Sequence, residues 1–479
     1  MLRPPDGVTR RRPAPDDRRR WQALGVGLVA AFMTLLDVSI VNVAVPSMDR
    51  ALRASPSDLQ WVLSGYALTF GLALVPAGRF GDARGRRNAF VAGITLFTLT
   101  SALAGLATSP AWLVAARLLQ GAAAGVVNPQ VTGLIQELFQ GPERARPFGL
   151  LGATIGISTA IGPLLGGLLI ALGGEEHGWR WVFFVNVPVG IVAVILGWRL
   201  LPSRPQGPVD NRRLDPVGVL LLGLGVVLLL LPLVQQQQWR GAEKWLLVPA
   251  GLVALVAFGL WERRYARQRQ PLFDLRLFAV RSYTLGSLIA LVYFGGFTAI
   301  FFIFTLYLQN GLGYSALVAG LAITPFALGS AAASALGGRI VNRYGRPLVA
   351  TGLVTVVVGL VGVVAILDLD PGHTAVPWLT AGPLLVAGLG SGLVIAPNQT
   401  LTLSEVPVPQ AGSGAGMLQT GQRIGAAAGI AAVGSVFFAS LTASDGAWSV
   451  AFRHALLLAT GIIALALVAA VTDISRSRR

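Results

Sequence analysis

Two ionisable residues inside apolar segments are candidates for proton chemistry. Asp37 is the one acid deep within any long apolar segment, and Arg117 interrupts another such segment. A carboxylate is expensive in hydrocarbon and a buried arginine needs a partner, so both are candidate functional groups. If both segments are membrane-spanning helices, their depths differ by roughly 5 Å at about 1.5 Å per residue, which an arginine side chain bridges. We therefore expect Asp37 and Arg117 to form a proton-coupling pair; the alternative is a static ion pair that docks two helices.

A short basic segment occurs twice in the chain, once as Gly78 to Arg87 and again as Gly338 to Pro347, each time between two apolar segments. Glycine and arginine recur at four matched positions, which indicates two related halves and is typical of a transporter built from structural repeats. We expect Asp82 to face the beginning of a later helix, near residues 411–414, because free amide hydrogens and the helix dipole favour a carboxylate. The matched residue in the second copy is Asn342, so this conformational latch should be one-sided. Its expected members are Gly78, Arg79, Asp82, Gly85 and Arg86.

The composition is that of an integral membrane protein. Hydrophobic residues make up 54% and charged residues 12% of the 479 residues. The net charge of +16 collects in short gaps between apolar segments, where arginines set orientation in the bilayer rather than bind nucleic acid. The sequence contains no cysteine, no Walker loop, no metal-ligand cluster and no convincing hydrolase nucleophile. We therefore predict neither an enzyme nor a bound cofactor or metal.

Fourteen apolar segments are long enough to cross a bilayer. They predict an all-α membrane protein with fourteen transmembrane helices arranged as 6+2+6, and arginine-rich loops on one side place both termini in the cytoplasm. The two inserted helices should lie outside both bundles and take no part in the transport path. The expected units are a basic tail over 1–20, a six-helix bundle over 21–200, linkers and two inserted helices over 201–281, a six-helix bundle over 282–472 and a tail over 473–479.

Several of these segments resemble the signatures of one transporter family. Gly78 to Arg87 resembles the loop between helices two and three of the major facilitator superfamily, and Arg117 to Gly125 resembles its helix-four motif. Leu36 to Pro46 resembles the first-helix signature of the fourteen-span drug:proton antiporters. The fifth span resembles the motif associated with exporters, although Ser158 stands where that pattern has glycine. The residues that carry this export motif are Gly162, Pro163, Gly166 and Gly167.

The resemblance implies the major facilitator fold and a proton-coupled exporter that moves amphipathic small molecules such as drugs by alternating access. It also implies that the partners are a small-molecule substrate, protons and the lipid bilayer. We expect a monomer that crosses the bacterial cytoplasmic membrane many times. Two alternatives stay open: a lipid or natural-product exporter of the same fold, and a non-transporting membrane sensor or scaffold.

Polar and aromatic residues in the other spans are candidates to line a central cavity, although helical spacing alone does not separate a cavity from a core or a lipid face. The core is the stronger alternative for the phenylalanines. Gln419, Gln422 and Arg423 favour the cavity because they are polar within a membrane span. The full set of candidates is Asn42, Gln120, Tyr293, Phe297, Asn398, Gln419, Gln422 and Arg423.

Overall fold

The computed structural model describes residues 17–203, 215–235, 239, 241–267, 269–369 and 375–477. Over these residues the chain forms helices and no strands, and fourteen spans are long and apolar enough to cross a membrane. The helices are α1 (Asp17–Leu52), α2 (Pro56–Arg84), α3 (Arg86–Gly105), α4 (Pro110–Leu138), α5 (Ala145–Phe184), α6 (Asn186–Leu200), α7 (Pro216–Val234), α8 (Leu247–Tyr265), α9 (Arg281–Leu306), α10 (Ala316–Tyr344), α11 (Arg346–Asp368), the single turn α12 (Val376–Leu379), α13 (Ala381–Thr402), α14 (Ala411–Ala443) and α15 (Trp448–Ser477).

The ends of the expected spans shift in several places. The first helix begins at Asp17 and α15 continues to Ser477, so both are longer than the sequence indicated. The helix α5 contains the fifth span and the beginning of the sixth, because Gly174, with a φ of 78°, breaks the helix within it. Most of the expected tail over 1–20, the linker over 204–214 and residues 478–479 lie outside the described residues.

The two basic segments are mostly helical rather than loops. The second helix continues to Arg84 and α10 to Tyr344, so each expected turn shrinks to one residue, Gly85 or Gly345. These glycines have φ values of 99° and 58°, which residues with side chains rarely adopt. The next helix therefore begins at the following residue in both places. We call the end of the bundle that carries Gly85 and Gly345 the basic face.

The two sets of six helices pack in the same way. In the first set, α1 packs on α5 and α6, α4 on α2 and α3, and α3 on α6. In the second set, α9 packs on α14 and α15, α13 on α10 and α11, and α11 on α15. The sets contact each other through two helix pairs, α2 with α14 and α5 with α10. Since α2 of the first set corresponds to α10 of the second and α5 corresponds to α14, each pair is the counterpart of the other. The predicted all-α fold of 6+2+6 helices is confirmed.

The inserted helices α7 and α8 pack on each other, and a Cβ atom at Gly225 would lie 2.6 Å from Leu255 Cδ2. The first of them also packs on α2 and α14, so it bridges the seam between the two sets. Against α2, Leu230 Cδ1 lies 3.5 Å from the position of a Cβ atom at Gly71. That these helices take no part in the transport path stays a prediction.

Paired glycines bring α4 close to α2. A Cβ atom at Gly121 would lie 2.3 Å from Tyr66 O, and one at Gly125 would lie 2.5 Å from Phe70 O. No side chain fits at these distances, so the small residues permit direct contact between the two backbones.

The matching glycines of the second set, Gly388 and Gly392, do the same for α13 and α10, and a Cβ atom at Gly388 would lie 2.0 Å from Phe326 O. We expect Gly388→Ala to destabilise the protein by about 1–3 kcal/mol, because a backbone must move to admit the methyl group. The measurement is the apparent melting temperature in detergent. Gly461→Ala is the matched control, since a Cβ atom at this exposed helical glycine would have no neighbour within 4 Å. Equal melting temperatures for the two variants would contradict the prediction.

Candidate functional site

The structure brings together the two charged residues that the sequence analysis paired. Arg117 Nη1 donates to Asp37 Oδ2 at 2.6 Å, and both side chains are almost fully buried, at 1% and 0% exposure. The other carboxylate oxygen, Oδ1, accepts from Gln120 Nε2 and from Asn186 Nδ2, each at 3.0 Å. The carboxylate therefore has three donors from α4 and α6.

Arg117 is held by groups from a third helix as well. Its Nε donates to Val62 O of α2 at 3.1 Å, and its Nη1 also donates to Gln120 Oε1 at 2.8 Å. The guanidinium carbon lies 4.1 Å from the centre of the Tyr66 ring. A cation over an aromatic face gains electrostatic attraction that grows when water is excluded. Four helices, α1, α2, α4 and α6, thus meet at one buried ion pair.

Helical periodicity places Asp37 on the packed side of α1. Ile40, Val41 and Ala44 follow it at spacings of three and four residues, and all three are fully buried. The polar contacts of Asp37 therefore lie within the first helix set and do not open to lipid.

Asn186 is a site residue that the sequence analysis missed. It begins α6, is 1% exposed, and donates to Ser101 Oγ at 3.1 Å as well as to Asp37. Ser101 in turn donates to Phe183 O at 2.9 Å. The available signal was one amide side chain within the sixth span, Glu176–Leu200, a pattern that a contact between helices and a position facing a cavity share.

On the basic face, Asp82 lies at the beginning of α14. Its two oxygens accept from Gly412 N at 2.9 Å and from Ser413 N at 2.8 Å, and its side chain is fully buried. Gly78, one helical turn earlier, lies against the same segment, since a Cβ atom there would be 2.3 Å from Gly412 O. A carboxylate at a helix N-terminus is favoured by free amide hydrogens and by the helix dipole. This contact joins α2 of the first set to α14 of the second.

Arg86 extends the same contact, and it brings in Glu137, which the sequence analysis did not single out. Arg86 Nη2 donates to Asp82 Oδ1 at 2.8 Å and to Val408 O at 2.6 Å, while Arg86 Nη1 donates to Glu137 Oε2 at 2.9 Å. Arg79 donates to Gln270 Oε1 at 2.8 Å, and Gly85 supplies the turn. Four of the expected latch residues, Gly78, Asp82, Gly85 and Arg86, therefore lie at the junction of α2, α3, α4 and the start of α14. Arg79 instead contacts the segment between α8 and α9.

The second copy of the basic segment contacts the start of α5, but with different chemistry. Gly338 packs closely there, since a Cβ atom would lie 2.5 Å from Ala145 O. Asn342 donates its amide to Pro142 O at 2.6 Å, whereas the matched Asp82 accepts from backbone amides. Only the junction of α2 with α14 contains this carboxylate, but the junctions of α2 with α14 and of α10 with α5 both hold the two helix sets together.

The glycine-rich part of α5 lies between its own set and the other. Gly162 and Gly166 face α1, and a Cβ atom at Gly162 would lie 1.9 Å from Ser39 Oγ. Pro163 and Gly167 face α10, where Pro163 Cβ lies 2.7 Å from the position of a Cβ atom at Gly320. Ser158 is fully buried and its carbonyl oxygen accepts from Ser39 Oγ at 3.1 Å.

Four of the cavity candidates take part in core packing or in polar contacts between helices. Tyr293 is 1% exposed and stacks on Phe297 within the core of the second set. Asn398 accepts from Arg346 Nη1 at 2.6 Å near the basic face, and donates to Gly286 O. Gln120 belongs to the ion pair described above. A polar or aromatic residue within a span is equally compatible with a helix contact, which is why sequence alone did not separate these cases.

The remaining candidates are exposed or half-buried. Asn42 is exposed on α1, and Gln422 and Arg423 are half-buried on α14. Gln419 donates to Thr132 Oγ1 of α4 at 3.3 Å. Arg423 places its guanidinium carbon 4.3 Å from the centre of the Phe70 ring of α2. Two of these α14 side chains therefore reach across to the first helix set.

Among the described residues, no group of three or more His, Cys, Asp or Glu side chains is placed to hold a metal ion. The polar site consists of ion pairs, amides and aromatic rings. Such groups can hold a proton or bind an organic molecule.

Comparisons with known proteins identify the family. The sequence profile of the Major Facilitator Superfamily matches residues 27–430. The chain is 38% identical to the probable actinorhodin transporter of Streptomyces coelicolor, covering 90% of this chain and 76% of that one. It is 36% identical to the cephamycin export protein CmcT of Amycolatopsis lactamdurans, covering 85% and 83%. The solved structure of the proton:xylose symporter XylE is similar in fold, with a TM-score of 0.63, 15% identity and coverage of 93% and 95%. This chain therefore belongs to the Major Facilitator Superfamily and is a multi-pass membrane transporter rather than an enzyme.

Proposed function

We propose that this protein is a proton-driven exporter of amphipathic small molecules, with Asp37 as the group that carries the proton. The observation that carries the proposal is the buried Asp37–Arg117 pair, the one carboxylate deep in the helices that the structure describes. Export is supported by the relatives, one named as a probable actinorhodin transporter and one as a cephamycin export protein. The glycine-rich packing of α5 is consistent with the same direction.

Coupling follows from the contacts of the ion pair. Protonation of Asp37 removes the charge that holds Arg117 Nη1, but the guanidinium keeps Val62 O, Gln120 Oε1 and the Tyr66 ring. The cation is thus not left without partners, and the cost of breaking the pair is reduced. Proton binding then loosens α1 from α4 while α4 stays attached to α2. This change supplies two states that a proton gradient and a substrate can bias.

In this proposal the basic face lies in the cytoplasm, because arginines concentrate there, and both termini are cytoplasmic. The protein works as a monomer in the bacterial cytoplasmic membrane. Contacts of α2 with α14 and of α5 with α10 close the basic face, so the structure corresponds to the state that is shut toward the cytoplasm. Transport requires these contacts to separate and re-form.

The relatives also favour one of the alternatives, a natural-product exporter of the same fold, because each is named for the transport or export of one compound, actinorhodin or cephamycin. The test is substrate-dependent proton flux in proteoliposomes across a panel of drugs, lipids and bacterial metabolites. Flux with metabolites alone would select this alternative. A protein that moves no compound under an imposed pH gradient would instead support a sensor or scaffold.

Replacement of Asp37 by asparagine should abolish uphill transport while leaving the fold intact. Asparagine keeps an oxygen that can accept from Gln120 and Asn186, but it cannot bind and release the coupling proton. We expect normal yield and a loss of pH-driven accumulation to the level of protein-free liposomes. Asp49→Asn, at an exposed acid of the same helix, is the matched control and should transport normally. Wild-type accumulation by the Asp37→Asn protein would remove Asp37 from the mechanism.

Replacement of Asp82 by asparagine should shift the protein toward the state open at the basic face. An amide cannot accept from both Gly412 N and Ser413 N with the strength of a carboxylate, and it loses the ion pair with Arg86. The chain has no cysteine, so spin labels can be placed at exposed Arg84 and Glu405 without other changes. We expect a larger population of long distances in Asp82→Asn by pulsed electron spin resonance.

The matched control is Asn342→Ala at the equivalent position of the second copy, which removes a single neutral hydrogen bond to Pro142 O. It should change the distance distribution less than Asp82→Asn does. Unchanged distances in Asp82→Asn, or an equal shift in both variants, would exclude the one-sided latch.

A further inference from the structure

Arg423 is a charged side chain at mid-membrane depth that the proposed coupling mechanism does not use. It lies twelve residues after the start of α14 at Ala411, which is about 18 Å along the helix at about 1.5 Å per residue. Phe70, the ring beneath its guanidinium, lies fourteen residues from each end of α2 (Pro56–Arg84). The guanidinium therefore occupies the seam between the two helix sets near the centre of the bilayer.

The charges at this depth do not balance. The described helices carry one carboxylate in their central parts, that of Asp37, and it is already paired with Arg117. Arg423 forms no ion pair with any residue that the structure describes, and its contact is with the Phe70 ring. An unpaired cation in the hydrocarbon region is expensive, and interior charges in membrane proteins mark the path of a substrate or an ion.

The surroundings of Arg423 provide hydrogen-bonding groups and accessible space. Gln419, one turn earlier, reaches α4, and Gln422 is half-buried beside it. A Cβ atom at Gly421 would have no neighbour within 4 Å. Arg423 is half-buried as a residue, and its guanidinium carries five donors in a planar fork, a geometry that matches a carboxylate or a sulfonate.

Aromatic rings continue from Arg423 toward the ion pair. The rings of Phe70 and Tyr66 lie 6.1 Å apart on successive turns of α2, and Arg117 sits over Tyr66 as Arg423 sits over Phe70. The two arginines differ in one respect, since Arg117 is paired with Asp37 whereas Arg423 has no carboxylate partner among the residues that the structure describes. Both rings are buried, each at 2% exposure, so the group that remains to bind a ligand is the guanidinium. An amphipathic aromatic molecule with an anionic group would supply the counter-charge that Arg423 lacks.

We propose that Arg423 is the counter-charge for an anionic group on the transported molecule, and that the substrates are amphipathic aromatic acids rather than lipophilic cations. This inference rests on the proposed export function and specifies its substrate class. The competing explanation is that the cation and the Phe70 ring form a fixed link between α14 and α2. A fixed link makes no distinction between ligands of different charge, so the two explanations give different results in one experiment.

The experiment uses three compounds that share a naphthalene ring: 2-naphthylacetate, 2-naphthaleneethanol and a 2-naphthylmethyl trimethylammonium salt. Their dissociation constants are measured with the full chain in nanodiscs by isothermal titration calorimetry. We expect the wild-type protein to bind the acid about tenfold or more tightly than the alcohol, as charge-assisted hydrogen bonds predict. The trimethylammonium compound should bind most weakly.

Arg423→Gln should abolish the preference for the acid and leave the affinity for the alcohol within about twofold, because only the charge-assisted bond is lost. Arg423→Lys keeps the charge and should keep part of the preference, which also covers the case in which the glutamine variant fails to fold. Arg339→Gln, at an exposed arginine on the basic face, is the matched control and should behave as the wild type. Equal binding of acid and alcohol by the wild type, no binding of the acid, or an unchanged ratio in Arg423→Gln would each overturn the proposal.

Transport measured with the same compounds separates this inference from the proposed function. If the acid binds through Arg423 but no compound crosses proteoliposomes under a pH gradient, export fails and the anion site stands. If other compounds are exported while the ratio is unaffected by Arg423→Gln, export stands and the anion site fails.

Discussion

The cost of charge in a bilayer is the constraint on which the first helix set depends. Asp37 and Arg117 are both buried, and each polar group around them is used: Gln120 contacts both partners, Asn186 contacts the acid, and Val62 O contacts the guanidinium. Because the pair is almost fully buried, a change in the charge of one residue acts on four helices together. A proton is the smallest ligand that can make such a change.

The two helix sets are related by packing, whereas their chemistry differs. The same helix pairs contact in both sets, and the glycines of α4 and α13 bring backbones together in the same way. On the basic face, however, Asp82 accepts two backbone hydrogen bonds while Asn342 donates one. Arg346 of the second copy pairs with Asp473 of α15, whereas its counterpart Arg86 pairs with Asp82 and Glu137. A symmetric scaffold thus carries an asymmetric set of charges, so one junction between the sets is more polar than the other.

The inserted helix α7 gives the seam between α2 and α14 a further contact. It packs against both helices, and α8 packs behind it. This seam also contains Asp82 at its basic end and the Arg423–Phe70 contact near its centre. Relative movement of α2 and α14 therefore changes a packing contact, a helix-end hydrogen bond and a cation–ring contact at once, which is a physical basis for coupling the ends of the transporter to its middle.

The sequence by itself determined the number of spans, the two related halves, the buried acid and arginine, and the helix start that receives Asp82. These are properties that the bilayer imposes along the chain, since a span must be apolar over a fixed length and an exception must have a partner. Only the tertiary structure decided which partners are used: Asn186 and Glu137 joined the polar clusters, and Asn398 proved to bind Arg346. A polar residue in a span has the same sequence pattern whether it faces a neighbouring helix or a cavity. The direction in which each helix faces is set by long-range packing, much of it at glycines where backbones touch, and that packing is not encoded in any one segment.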